Sequence, residues 1–298
     1  MAAAGAMDTD GAGGGGVEAA LRAGLGAAMA AGEAEALKAW VDGVLGEDVP
    51  QWVSRDLLQA LGAELPKLPQ ETHKAVAAHA IERVQPRVAS FEEQASLIRE
   101  QLAALHEGEE DWARAAQILG GINLDSGNRQ LDDAYKLGKC VKIALLYLED
   151  DDPVKAESYI KRASFLVGSG TDPGLKLQYK ACAARISDSK RRFLEAAIRY
   201  YELSQLGKDD AGGKQVDEAD LEQALTAAIT CTILAAAGPQ RSRLLATLHK
   251  DERSAKVRSP PSPGGGGPYA RTRPPPRRGR LDRPSSSPLT DPPPVPLA

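Results

Sequence analysis

The chain has 298 residues, 42% of them hydrophobic, which is enough to bury a sizeable core. Only 4% are aromatic while Ala and Leu abound, a balance that favours packed helices over sheets, so the expected class is all-α. The net charge of −4 is unevenly spread: from Arg258 to Ala298 seven Arg stand against two Asp, leaving +5 there and −9 on the body, which argues against nucleic-acid binding by the body.

Residues 1–16 are nearly all Ala and Gly and are expected to form a disordered leader. No basic stretch followed by an apolar one opens the chain, and Asp8, Asp10 and Glu18 argue against a transit peptide. Residues 17–88 read as short N-terminal helices. Trp40, Val44 and Leu45, then Leu57, Leu58 and Leu61, sit at helical spacing, and Pro50, Pro66 and Pro69 punctuate the segment.

Residues 89–206 carry the strongest pattern. Ser90 to Glu93 has the S-x-x-E form of a capping box, and Phe91, Ala95, Ile98, Leu102 and Leu105 make one face of a long helix. After a break at Gly108 a second helix carries Trp112, Ala115, Ala116 and Leu119, closed by Gly120-Gly121. The next hairpin has Leu137, Cys140, Val141, Ala144, Leu145 and Leu148 on its first helix. Asp152 as N-cap and Pro153 at the first helical position then start a partner helix with Ala156, Tyr159, Ile160 and Ala163. A third repeats the theme with Tyr179, Ala183 and Ile186 before Phe193, Ala196, Ala197, Tyr200 and Tyr201. Ala115, Ala156 and Ala196 lie 41 and 40 residues apart. A small residue at that period lets stacked helices approach closely, so the expected fold is an α-solenoid of helical hairpins, TPR/HEAT-like.

Residues 207–257 begin with a polar loop, Gly207 to Val216, and suggest a fourth pair. Leu221, Leu225, Ala228, Thr232 and Ala235 precede a Gly238-Pro239 turn, and Arg243, Leu244, Leu245 and Leu248 follow it. The 18-residue uncharged run from Gln223 to Gln240 is diluted by threonines and reads as a buried core helix, not a membrane span. Residues 258–298 hold 13 of the 20 Pro and a glycine run, and are expected to be disordered.

Catalytic chemistry finds little support. His73, His79, His106 and His249 show no H-x-H or H-E-x-x-H spacing, so they are expected at the surface or at helix ends, and no metal is predicted. Glu149 to Asp152 lacks the pattern of a calcium loop and reads as helix capping. Gly207 to Gln215 fails as a phosphate loop, since Gly213 stands where Lys is needed. Cys140, Cys182 and Cys231, spaced 42 and 49 apart without C-x-x-C pairing, read as small buried hydrophobes in a reducing compartment. Arg241 and Arg243, flanking Ser242, are the candidate contact residues, reaching either an acidic partner or the closing carbonyls of another helix. Arg277-Arg278-Gly279-Arg280 and the Pro triplets of the tail read as compositional accident before a nucleic-acid or polyproline-recognition site. No cofactor and no catalytic residue is predicted.

Several long runs, taken together, point to a family. Ser90-Phe91-Glu92-Glu93-Gln94, Leu146-Tyr147-Leu148-Glu149-Asp150-Asp151-Asp152, Ala163-Ser164-Phe165-Leu166, the run from Arg192 to Tyr201 and the run from Cys231 to Arg243 resemble the subunit 4 family of the COP-9 signalosome, over residues 20 to 256. That family is of the PCI class, which places a helical-repeat arm before a winged-helix module. The resemblance implies a non-catalytic scaffold and substrate-sensing subunit, in cytoplasm and nucleus, whose complex removes a ubiquitin-like modifier from cullins through another subunit's zinc site. Its implied partners are the other signalosome subunits and cullin-RING ligases, with no membrane. Past Lys250-Asp251-Glu252-Arg253, where that family continues, this chain has its Pro/Arg/Gly stretch. Residues encoded by G/C-rich codons dominate there, so out-of-frame or unspliced translation is the expectation for it.

Overall fold

In a computed structural model of the chain, residues 11–125, 129–206 and 217–255 are described. Twelve α-helices, and no strand, make up the regular structure of these residues apart from short 3-10 turns. The first four are α1 (Gly11–Ala31), α2 (Ala34–Val44), α3 (Gln51–Glu64) and α4 (Gln70–Val84). Pro50 and Pro69 stand at the N-caps of α3 and α4, and Pro66 sits in the 3-10 turn that follows α3. Helix α1 begins at Gly11, inside the Ala/Gly stretch expected to lack structure up to residue 16; residues 1–10 lie outside the described residues. It is held where its sequence turns apolar, since Leu25 and Ala28 are buried and the Trp40 indole donates to the Leu21 carbonyl at 2.8 Å.

The repeat arm comprises α5 (Glu92–Gly108) with α6 (Trp112–Gly120), α7 (Asp133–Glu149) with α8 (Pro153–Ser164), and α9 (Pro173–Ser189) with α10 (Phe193–Ser204). Each helix packs on its chain neighbour, and α7 also meets α9. This is the α-solenoid of hairpins that the period predicts. Leu57, Leu58, Leu61, Phe91 and Ile98 belong to one apolar cluster under α1 to α5, and Leu137, Ile143, Ala156 and Ile186 to a second under the hairpins. Ala115, Ala156 and Ala196 are each fully buried.

The repeat extends to backbone detail that the side-chain pattern does not reveal. Each hairpin turns through one residue of positive φ: Glu110 (61°), Asp151 (59°) and Arg191 (58°), 41 and 40 residues apart. The next amide then reaches back five residues, from Asp111 to His106 (2.9 Å), Asp152 to Tyr147 (2.8 Å) and Arg192 to Ser187 (2.8 Å), which satisfies a helix-end carbonyl. The first two turns hand over directly to an N-cap. Asp111 accepts from the Arg114 amide at 3.3 Å and Asp152 from the Lys155 amide at 3.0 Å, with Pro153 at the first helical position as expected. A non-Gly residue in the left-handed region costs roughly 1–2 kcal/mol, part of which glycine returns as backbone entropy of the unfolded chain. Asp151→Gly is therefore expected to stabilise the chain by about 0.5–1 kcal/mol, read as a rise in the urea midpoint; a lower midpoint would show that the Asp151 side chain is needed at the turn.

Ion pairs connect successive hairpins. Glu107 meets Lys142, Glu149 meets Arg185 at 2.9 Å, and Glu157 meets Lys190 at 2.5 Å and Arg192 at 3.0 Å. Such pairs contribute about 0–1 kcal/mol each, so they select the register of stacking more than they stabilise it.

Two expectations need correction. The capping box at Ser90 does not form: Ser90 closes the 3-10 turn Gln85–Ser90, its carbonyl accepts from Arg55 Nε at 2.6 Å, and α5 starts after Phe91 with no side-chain cap. The run from Gln223 is only half buried. Helix α11 (Glu218–Leu234) covers Leu225, Ala228, Cys231 and Thr232 against α10, while Ile233 and Leu234 are 58% and 57% exposed. Helix α12 (Pro239–Lys250) follows, with Leu248 buried. No helix of the described residues is long and apolar enough to cross a membrane.

Candidate interaction surface

Arg241, at the start of α12, donates from its guanidinium to the carbonyls of Thr232 (3.0 Å) and Ile233 (3.1 Å). Those carbonyls close α11 and have no partner further along their own helix, so the positive charge sits at the negative end of the helix dipole. Arg243 projects an exposed side chain two residues on. The structure therefore does not bring the two arginines to a common site. Near them an open groove of about 480 Å³ is lined by Phe193, Leu194 and Ile198 of α10 and by Ala235 and Ala236 after α11.

A second groove, of about 570 Å³, lies between α4 and α6 with α5 as its floor. Ala75, Ala78, Ile81, Leu102 and Ile118 give it apolar walls, and Arg99 and Arg114 give it positive charge beside Glu71 and a Lys74 that is paired with Glu109. Arg99 is 7% exposed, and its guanidinium donates to the Gly121 carbonyl and, at 2.7 Å, to Gln85 Oε1. Sequence inspection missed this groove, because Arg99 falls between apolar positions of α5 and no spacing rule marks a buried arginine.

The histidines lie at the surface or in the end turns of helices, as expected, but two of those in end turns are buried. His249 is exposed and His79 lies 3.0 Å from Asp42, but His73 and His106 are each 5% exposed, because α4 and α5 press together over them. Burial lowers the pKa of both. In the unfolded chain they protonate near pH 6.5, before the folded chain does, so stability is present in full above that value and falls as pH drops below it. His73→Leu is expected to flatten this part of the pH–stability curve below about pH 6.5, measured by urea unfolding at fixed ionic strength; an unchanged slope would assign the dependence to other groups.

Cys140, Cys182 and Cys231 are buried, and burial pushes the thiols of Cys182 and Cys231 up to about 12, far from a thiolate nucleophile at neutral pH. Among the described residues no three His, Cys, Asp or Glu side chains gather as metal ligands. Within Glu149 to Asp152, Asp152 caps α8 and Glu149 pairs with Arg185. The loop Gly207 to Gln215 and the arginine and proline runs after residue 257 lie outside the described residues.

The profile of the PSMD12/CSN4 N-terminal family matches residues 19–209, which takes in α2 to α10 and the α4–α6 groove. The chain belongs to that family. Among PSMD12/CSN4 proteins, it is similar to COP9 signalosome complex subunit 4 of Arabidopsis thaliana, at 58% identity over 74% of this chain and 55% of the relative. It is also similar to the subunits of that name from Drosophila melanogaster (45% identity, covering 74% and 52%) and Dictyostelium discoideum (42%, covering 74% and 54%). It is a homologue of those subunits, and it spans about half the length of the relatives it matches. The α4–α6 groove falls within the part matched by the PSMD12/CSN4 profile, whereas Arg241, Arg243 and the exposed end of α11 fall beyond it.

Proposed function

We propose that the chain serves as a non-catalytic scaffold and substrate-sensing subunit of a COP-9 signalosome, the complex whose removal of a ubiquitin-like modifier from cullins regulates cullin-RING ubiquitin ligases. The observation that carries this reading is the 58% identity to a signalosome subunit 4 across 74% of the chain. In this reading the chain acts through contact, and the chemistry belongs to another subunit. Its partners are then the other signalosome subunits and cullin-RING ligases, in cytoplasm and nucleus. Arg243 and the exposed Ile233 and Leu234 are the protein-contact candidates at the end of the repeat arm, while Arg241 acts as an internal tie.

Co-expression with the remaining subunits and affinity purification through one of them tests this directly. Co-elution in stoichiometric amount is expected, and a chain that stays monomeric in their presence is not a working subunit. Binding to a cullin complex without co-elution would instead identify a free-standing helical adaptor.

A further inference from the structure

The α4–α6 groove combines two features. The first is charge without a counter-ion. Arg99 is buried, yet both its hydrogen bonds go to neutral oxygens, those of Gly121 and Gln85, and neither Arg99 nor Arg114 forms an ion pair with a carboxylate among the described residues. A buried guanidinium stays protonated, and without a paired carboxylate its field is projected into the groove. Lys74 on the opposite wall is paired with Glu109. His106, whose Nδ1 is buried without a hydrogen-bond partner, lines the same groove. It lies 3.6 Å from the Asp111 carboxylate and 3.8 Å from that of Glu109, beyond hydrogen-bonding reach.

The second feature is an apolar lining left open. In the next interval of the arm Tyr159 of α8 lies against Gly120, so close that a Cβ there would fall 2.7 Å from its hydroxyl, and its ring stacks on Tyr147 at 5.9 Å. Between α4 and α6 the side chain that lies against the matching glycine, Gly121, is that of Arg99, and no Phe, Tyr or Trp ring lines the groove among the described residues. Ala75 and Ala78 are small, and about 570 Å³ stays open, within the range of sites that hold several side chains.

We propose that this groove docks an acidic peptide segment of a partner protein, in which an Asp or Glu stands beside a large apolar residue. The apolar side chain rests on Ala78, Leu102 and Ile118, and the carboxylate meets Arg114 under the field of Arg99. Charge complementarity selects the occupant, because Arg99 and Arg114 give this groove positive charge on a body whose net charge is −9. The inference goes beyond membership of a complex, and it concerns the isolated chain.

Panning a displayed library of random octapeptides against the full-length chain, followed by fluorescence anisotropy with the enriched peptide, tests it. The expected consensus pairs an acidic residue with Leu, Ile or Phe. Two variants report on the two halves of the site: Arg114→Glu reverses the exposed charge, and Ala78→Trp fills the exposed apolar wall. Each is expected to weaken binding by roughly tenfold or more, with unchanged helical circular dichroism. No enrichment, a consensus lacking acidic residues, affinity unaffected by both variants, or displacement by millimolar inorganic phosphate would overturn the proposal, the last by reducing the groove to a plain anion site. Failure to co-elute with signalosome subunits would leave this result untouched, so the two readings fail separately.

Discussion

Leu137→Ala is expected to destabilise the chain by about 2–5 kcal/mol, the largest effect of any single truncation considered. Leu137 is fully buried in the second apolar cluster, on α7, which packs against α6, α8 and α9. Removing three carbons there forfeits their transfer from water and leaves a cavity that three helices cannot all close upon at once. Urea unfolding followed by circular dichroism measures it: the midpoint should fall sharply at an unchanged slope. A loss under about 1 kcal/mol would mean that the arm relaxes around the gap and is packed more loosely than its burial indicates.

Ala156→Leu tests the same interface from the other side. Ala156 is fully buried on α8, which packs on α7 and α9, at the position that Ala115 and Ala196 occupy in the flanking hairpins. Added carbons must either push the helices apart or force side chains off their rotamers, at a cost of about 1–3 kcal/mol. Val154→Leu on the same helix is the control. It is 67% exposed and should change the midpoint little, since surface substitutions typically stay within about 0.5 kcal/mol. If Ala156→Leu is as silent as its control, close approach at the small residue does not set the period of the arm.

The period and the hairpins were legible because both rest on local rules: apolar spacing at 3.6 residues per turn, Asp152 before Pro153, a small residue every 40 or 41 positions. Ser90 shows the limit of such rules. Its S-x-x-E spacing is that of a capping box, yet a 3-10 turn ends at Ser90 and α5 takes Phe91 as its N-cap, so Ser90 and Glu93 miss the two positions that the box would need. His73 and His106 show another. A polar residue on a helix reads as solvated until a neighbouring helix is laid over it, and α4 and α5 are neighbours over these two. Arg241 was legible as a candidate tie because it follows a tight turn, but its acceptors, the Thr232 and Ile233 carbonyls, depend on how α12 folds back on α11.

By itself the amino-acid sequence determined the helical class, the hairpin period and the family resemblance, because each is carried by residues within one or two turns of one another or by long matching runs. Only the tertiary structure decided that Arg99 is buried without a carboxylate, that Tyr159 closes one interval of the arm, and that the interval between α4 and α6 stays open. Those outcomes depend on side chains 20 to 40 residues apart, such as Arg99 with Gly121 and Gly120 with Tyr159, whose separation is set by packing angles that no local pattern encodes.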